Sequence, residues 1–168
     1  HYNGGMTPKT LRAVMSTLRK PEVGCPWDLQ QDHHTLERYL REEAAEVLDS
    51  VAEQQRALAA NPGDREALRT IRRGFHTLKG SGRLVGAVAL SEFSWKIESL
   101  LNRVLDESRP ASDSVVGMIG IAIDALPKFQ QALLGGKAYL DVEGLSDVAE
   151  RLAAGEELVY QPKQAGAA

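Results

Sequence analysis

Apolar residues recur every three or four positions along most of this chain, and that period predicts helices. Between His34 and Ala60, Leu40, Ala44, Val47, Val51 and Leu58 share one face, and Asn61-Pro62-Gly63 stops the helix. Asp64 is placed to cap a helix reaching Leu84, with Leu68, Ile71, Phe75, Leu78, Gly82 and Val85 inward. From Val88 to Asp106 the inward positions are Leu90, Phe93, Ile97, Leu100, Leu101 and Val104, and Arg109-Pro110 breaks the pattern. From Ser112 to Leu134 they are Val115, Ile119, Ala122, Leu126, Phe129 and Leu133, with Pro127 marking a bend and Gly135-Gly136 a stop. A short helix over Leu145–Ala154 precedes a tail of Gln, Pro, Gly and Ala that is expected to fray. Upstream, Thr7 caps a helix over Pro8–Arg19, while Pro21, Gly24 and Pro26 keep residues 21–28 from forming a continuous one. No stretch reads convincingly as a strand. Four long amphipathic helices on short loops predict an all-α fold: an antiparallel four-helix bundle with an extra N-terminal helix and a short C-terminal one.

Composition narrows the function classes. With 168 residues, 43% hydrophobic and 26% charged, the chain can bury a core and is neither disordered nor fibrous. The longest apolar run, Val115–Ala125, is interrupted by Gly117, Gly120 and Asp124, so no membrane span is expected. A net charge of −3 argues against a nucleic-acid binder. Cys25 is the only cysteine, which excludes an internal disulfide and favours a cytoplasmic setting, as does the lack of a secretory signal. Residues 1–6 read as a leftover of recombinant expression. Cys25, His33 and His34 lack the clustering of a zinc site, and Trp27 and Trp95 read as packing residues.

The third helix carries the candidate chemistry. His76 lies just off the core face, with Arg72 four residues before it, Lys79 three after, Gly80 four after and Arg83 seven after. At these spacings all five project from one side. A solvated basic stripe with an incidental histidine is one reading. Against it, Gly80 and Gly82 cost about 1 kcal/mol each inside a helix, which suggests the close approach of another molecule. Lys79 is within reach of a phosphoryl group on the imidazole, whose charge would want such a cation. An imidazole becomes a nucleophile when one nitrogen is oriented by an acceptor, and Glu98, beside the inward Ile97, is available.

Phe75-His76-Thr77-Leu78-Lys79-Gly80-Ser81-Gly82 closely resembles the signature of histidine phosphotransfer (HPt) domains. Ile71–Val85, Phe93–Glu98 and Leu101–Asp106 are similar to the HPt modules of CheA-like kinases in pilus-motility chemosensory systems, and the resemblance covers about Tyr39–Glu157. It implies a phosphocarrier in a two-component relay, without catalytic activity or cofactor of its own. His76 is then the phosphoacceptor, Lys79 stabilises the bound group, Gly80 leaves room for a response regulator, and Glu98 orients the histidine. The implied partners are a receiver domain and a histidine kinase as donor. Arg72, Arg73 and Arg83 are expected to form a basic docking face around His76.

A second resemblance precedes it. Leu18–Asp28, Gln31 and Leu36–Val47 look like the start of MazG-type nucleotide pyrophosphohydrolases, with Glu42-Glu43-Ala44-Ala45-Glu46 as their first carboxylate motif, over about residues 7–50. Glu42 and Glu46 share a helix face and, with Glu43, are weak candidates for holding magnesium. The family's second motif, a Glu followed three residues later by Asp, occurs only as Glu46 and Asp49 on the same helix. A metal-dependent nucleoside triphosphate pyrophosphohydrolase is therefore the alternative function, and a chimera without native function a third. The resulting division is a remnant at 1–6, a MazG-like segment at 7–39, the bundle at 40–157 and a flexible tail at 158–168. Leu11, Val14, Met15, Leu18 and Trp27 would be covered by the bundle, covered by a second copy in a homodimer, or left exposed.

Overall fold

A computed structural model describes residues 33–84, 86–133, 136 and 139–162, together with 13, 16, 17, 20, 21 and 26. The helix expected over Pro8–Arg19, its apolar set, Cys25 and Trp27 fall largely or wholly outside these residues. Packing divides the chain into residues 1–39 and 40–168, and the bundle lies in the second unit.

Five helices are described: α1 (His33–Ala60), α2 (Arg65–Leu84), α3 (Val88–Leu105), α4 (Asp113–Leu133) and α5 (Val142–Ala153). There is no strand among the described residues, and no helix is long and apolar enough to cross a membrane. The fold is the all-α bundle expected from the periodicity. Asp64 caps α2 as its position suggested, its Oδ1 accepting from the backbone N–H of Glu66 and of Ala67 at 3.0 Å each. Glu66 and Arg83 then complement the two ends of the helix dipole. α4 continues without interruption through Pro127.

The inward stripes meet in one core. Ile71, Phe75, Phe93, Ile97, Leu100, Leu101, Val115 and Ile119 have no exposed surface. Phe93 lies at its centre, edge-on to Phe75 at 6.4 Å and stacked on Phe129 at 5.3 Å, so one ring joins α2, α3 and α4. The side chains of α2 and α3 pair in opposite order. Arg65 reaches the Leu105 carbonyl, Arg72 reaches Asn102 and His76 reaches Glu98, so the two helices run antiparallel. Gly86 turns the chain between them at φ +75°, a conformation that favours glycine.

The C-terminal helix departs from expectation. It starts at Val142, three residues early, because the Asp141 carboxylate caps it by accepting from Gly144 N–H at 3.1 Å. It is an integral part of the bundle: Leu145, Val148, Ala149, Leu152 and Ala153 are buried, and its most extensive packing is along α3. Lys96 of α3 pairs with Glu150 of α5. Leu158 and Tyr160, assigned from sequence to the tail, pack half-buried on the core. Arg109, read as a helix breaker, is a buried clasp. Its guanidinium donates to the Leu152 carbonyl at 2.8 Å and to the Glu157 carboxylate at 2.6 Å, tying the α3–α4 loop to the end of α5.

Three glycines on α2 have different reasons. At Gly74 an added methyl would overlap Val51 of α1 and lie 3.2 Å from Val47 Cγ1. At Gly82 it would meet the Ala87 carbonyl and Ser91 N at 3.3 Å, so close approach there is by the chain's own α3, which corrects the expectation of an outside molecule. At Gly80 nothing lies within 4 Å. Gly74→Ala is therefore expected to destabilise by about 1–3 kcal/mol, because buried, β-branched Val51 cannot swing aside. Gly80→Ala should stabilise by about 0.5–1 kcal/mol. Urea unfolding of the two variants measures this, and a Gly74→Ala chain no less stable than the wild type would show that the α1–α2 contact is not tight.

Candidate functional site

The α2–α3 pair builds the site. The core face of α2, through Ile71, Phe75 and Leu78, turns His76 outward, and its side chain is 56% exposed. On α3 the core side fixes Ile97, and Glu98 next to it points into the seam between the helices, only 6% exposed. The antiparallel register sets Glu98 opposite His76.

Glu98 gathers three donors. His76 Nδ1 lies 2.7 Å from Oε1, Lys79 Nζ lies 2.6 Å from Oε2, and an Arg72 guanidinium nitrogen lies 3.5 Å from Oε1. Burial pushes the Glu98 carboxyl up. Hydrogen bonds from Lys79 and His76, and their positive charge, outweigh it and hold the group below the ordinary glutamate value of about 4.5. An ionised carboxylate only accepts. Nδ1 therefore carries a proton, and in the neutral ring Nε2 keeps the free lone pair.

The depressed value gives a pH prediction. Glu98 binds fewer protons folded than unfolded near its titration range, so its stabilisation is complete above about 4.5 and is lost as pH falls through its lowered folded value. Glu98→Gln should show a flatter loss of stability on acidification than the wild type. Urea unfolding across the acid range checks this, and identical slopes would show that Glu98 is not held ionised by the fold.

The sequence-derived candidates are partly assembled. Arg72, His76, Lys79 and Glu98 converge. Lys79 is engaged by Glu98, with its side chain 25% exposed, so in this state its charge is committed to the carboxylate. Gly80 and Arg83 are exposed further along the same helix, and Arg73 is exposed beside Arg72. Glu42 and Glu46 are exposed on α1, the Glu43 side chain lies outside the described residues, and no group of three potential metal ligands forms among the described residues. Trp95, expected to pack, is 52% exposed, on the side of α3 that also exposes Glu92 and Asn102. Its ring faces Lys96 Nζ at 5.2 Å. Asn102 joins the site without a signal in the sequence motif: its Oδ1 accepts from Arg72 Nε at 3.0 Å. The two are 30 positions apart, and only the helix register reveals the pair.

Fold and site together define a helical bundle in which an exposed histidine is backed by a buried carboxylate. The Hpt domain family model matches residues 35–133. The chain belongs to the Hpt domain family. It is 26% identical over 111 residues to the chemotaxis protein CheA of Borreliella burgdorferi, covering 66% of this chain and 13% of that protein. The chain thus spans about an eighth of that relative's length. Its fold is similar, with a TM-score of 0.62, to the phosphorylated P1 domain of CheA3 solved in complex with CheY6 from R. sphaeroides. That likeness covers 71% of this chain and 96% of the other at 22% identity. A separate similarity, 50% identity over 42 residues, links 25% of this chain to 16% of the nucleoside triphosphate pyrophosphohydrolase of Escherichia coli K12.

Proposed function

We propose that this chain is a phosphocarrier in a two-component relay and that His76 is its phosphoacceptor. The observation that carries this is the exposed His76 ring with Nδ1 bound at 2.7 Å to a buried, ionised Glu98, which leaves Nε2 as the nucleophile toward solvent. The Nε2 lone pair attacks the phosphorus of a receiver domain's aspartyl phosphate. The N–P bond forms, the acyl O–P bond breaks, and the aspartate carboxylate leaves. The Nδ1 proton stays on the ring, and Glu98 stabilises the positive charge the ring gains. Lys79, one helical turn away, supplies a cation for the phosphoryl oxygens. The reverse reaction hands the group to an aspartate. With a histidine kinase as donor, the same nitrogen takes the γ-phosphoryl group of ATP and ADP leaves. Family membership supports this reading, as does the solved complex of the CheA3 domain with CheY6. The basic residues Arg73 and Arg83, exposed near His76, suit an acidic receiver pocket and would speed encounter.

The test is incubation of the full chain with a phosphorylated receiver domain. An acid-labile, base-stable label on the chain is expected, acquired more slowly as ionic strength rises. No label with any receiver or kinase donor tried would overturn the proposal.

A further inference from the structure

Glu98 holds more positive charge than orienting one histidine requires. Lys79 and His76 already satisfy both of its oxygens at 2.6 and 2.7 Å. Arg72 adds a third, longer contact at 3.5 Å to Oε1. Its guanidinium is not free to drift, because Nε donates to Asn102 Oδ1 at 3.0 Å. Asn102 lies one helical turn beyond Glu98 on α3, and Arg72 one turn before His76 on α2. The strut therefore crosses the helix seam directly beside the His76–Glu98 bond.

The use of this strut appears once the site is loaded, and the inference rests on the reading of His76 as phosphoacceptor. A phosphoryl group on Nε2 brings close to two negative charges within one turn of Lys79. Lys79 has a flexible stem and a compact charge, so its ammonium is the group that turns to those oxygens. That movement strips Glu98 Oε2 of its strongest donor. A carboxylate that is 6% exposed and loses its cation is an uncompensated buried charge, which either takes up a proton or turns toward water. Either change would release the His76 ring.

We propose that Arg72, anchored by Asn102, is a positioning residue that holds Glu98 on His76 while Lys79 serves the phosphoryl group. Arg suits the task where Lys does not. Its planar fork can keep one N–H on Asn102 and turn another to Glu98, and it does not lose its charge. Lys79 is the mobile cation of the site and Arg72 the fixed one. Arg73 and Arg83, exposed on the outer face of the same helix, have no such anchor among the described residues.

The test removes Lys79 rather than loading His76, so it does not depend on phosphorylation. In the full chain, 15N NMR of the His76 ring at neutral pH reads which nitrogen carries the proton. Lys79→Gln and Arg72→Gln, taken singly, are expected to keep the Nδ1–H form. The double variant Lys79→Gln/Arg72→Gln is expected to lose it, and Lys79→Gln/Asn102→Ala, which keeps all of Arg72's charge, is expected to lose it as well. Helical circular dichroism confirms that each variant is folded, and the Asn102 pair serves if the Arg72 pair is not. Loss of the Nδ1–H form in Lys79→Gln alone, or its survival in a folded double variant, overturns the proposal. As a second readout, Asn102→Ala should slow labelling from a phosphorylated receiver about tenfold without changing its salt dependence. Were Arg72 only a docking charge, Asn102→Ala would be silent. A wild-type chain that takes no label would overturn the phosphocarrier reading, while the NMR comparison still decides the role of the strut.

Discussion

His76→Gln is expected to abolish phosphoryl acceptance and leave the bundle intact. The glutamine amide is of similar reach and can still donate to Glu98, so the carboxylate keeps a partner in the seam between α2 and α3. The position is 56% exposed, and glutamine is a good helix former, so nothing in the core has to move. What disappears is the nucleophile, because the amide nitrogen's lone pair is delocalised into the carbonyl. Labelling by a phosphorylated receiver should fall to background, while the circular dichroism spectrum and the unfolding midpoint stay close to wild type. Label persisting on His76→Gln would place the acceptor at one of the chain's other three histidines. A large fall in stability instead would mean that His76 is a structural member of the Glu98 cluster.

Much of this site is legible in the sequence because its most informative part is local. His76, Lys79 and Gly80 occupy one turn and a half of a single helix, and the position of the apolar stripe on that helix fixes their outward direction. Glu98 is legible one step less directly. It requires the register between two helices, and the turn at Gly86 between α2 and α3 sets that register. The pairing of Lys79 with Glu98 and the Arg72–Asn102 strut are decided by side-chain geometry across the seam, which no spacing encodes. The glycines divide the same way. Gly80 faces open space and reads as a surface feature, but Gly74 is held by contact with Val51, 23 positions earlier. The role of α5 is hard to see in the sequence for a thermodynamic reason: twelve residues make a weak helix alone, and most of its stability comes from burying five side chains in a groove built by distant segments.

Phe93→Ala is expected to destabilise the bundle by about 3–5 kcal/mol, the range for emptying a buried aromatic site. Few substitutions in this chain should do more. Phe93 has no exposed surface, its edge-to-face contact with Phe75 holds α2, and its stacking on Phe129 holds α4. Alanine would leave a hole bordered by residues of three helices, and closing it would require all three to shift. Against a total stability of about 5–15 kcal/mol for a domain, such a loss is a large share. The effect on the site should exceed the effect on the folded fraction. Phe75 of α2 and Phe93 of α3 join the same two helices that the His76–Glu98 bond joins, so the ring pair helps to set the spacing of the seam. With that spacing loosened, the carboxylate no longer fixes the imidazole, and phosphoryl acceptance per folded molecule should fall. Urea unfolding gives the first quantity, and labelling at low temperature, normalised to the folded fraction, gives the second. A loss below about 1 kcal/mol would mean that the core closes around the gap, as less tightly built sites can. Undiminished labelling per folded molecule would show that Glu98 is positioned by the polar contacts of the seam alone, with no contribution from the Phe75–Phe93 pair in the core.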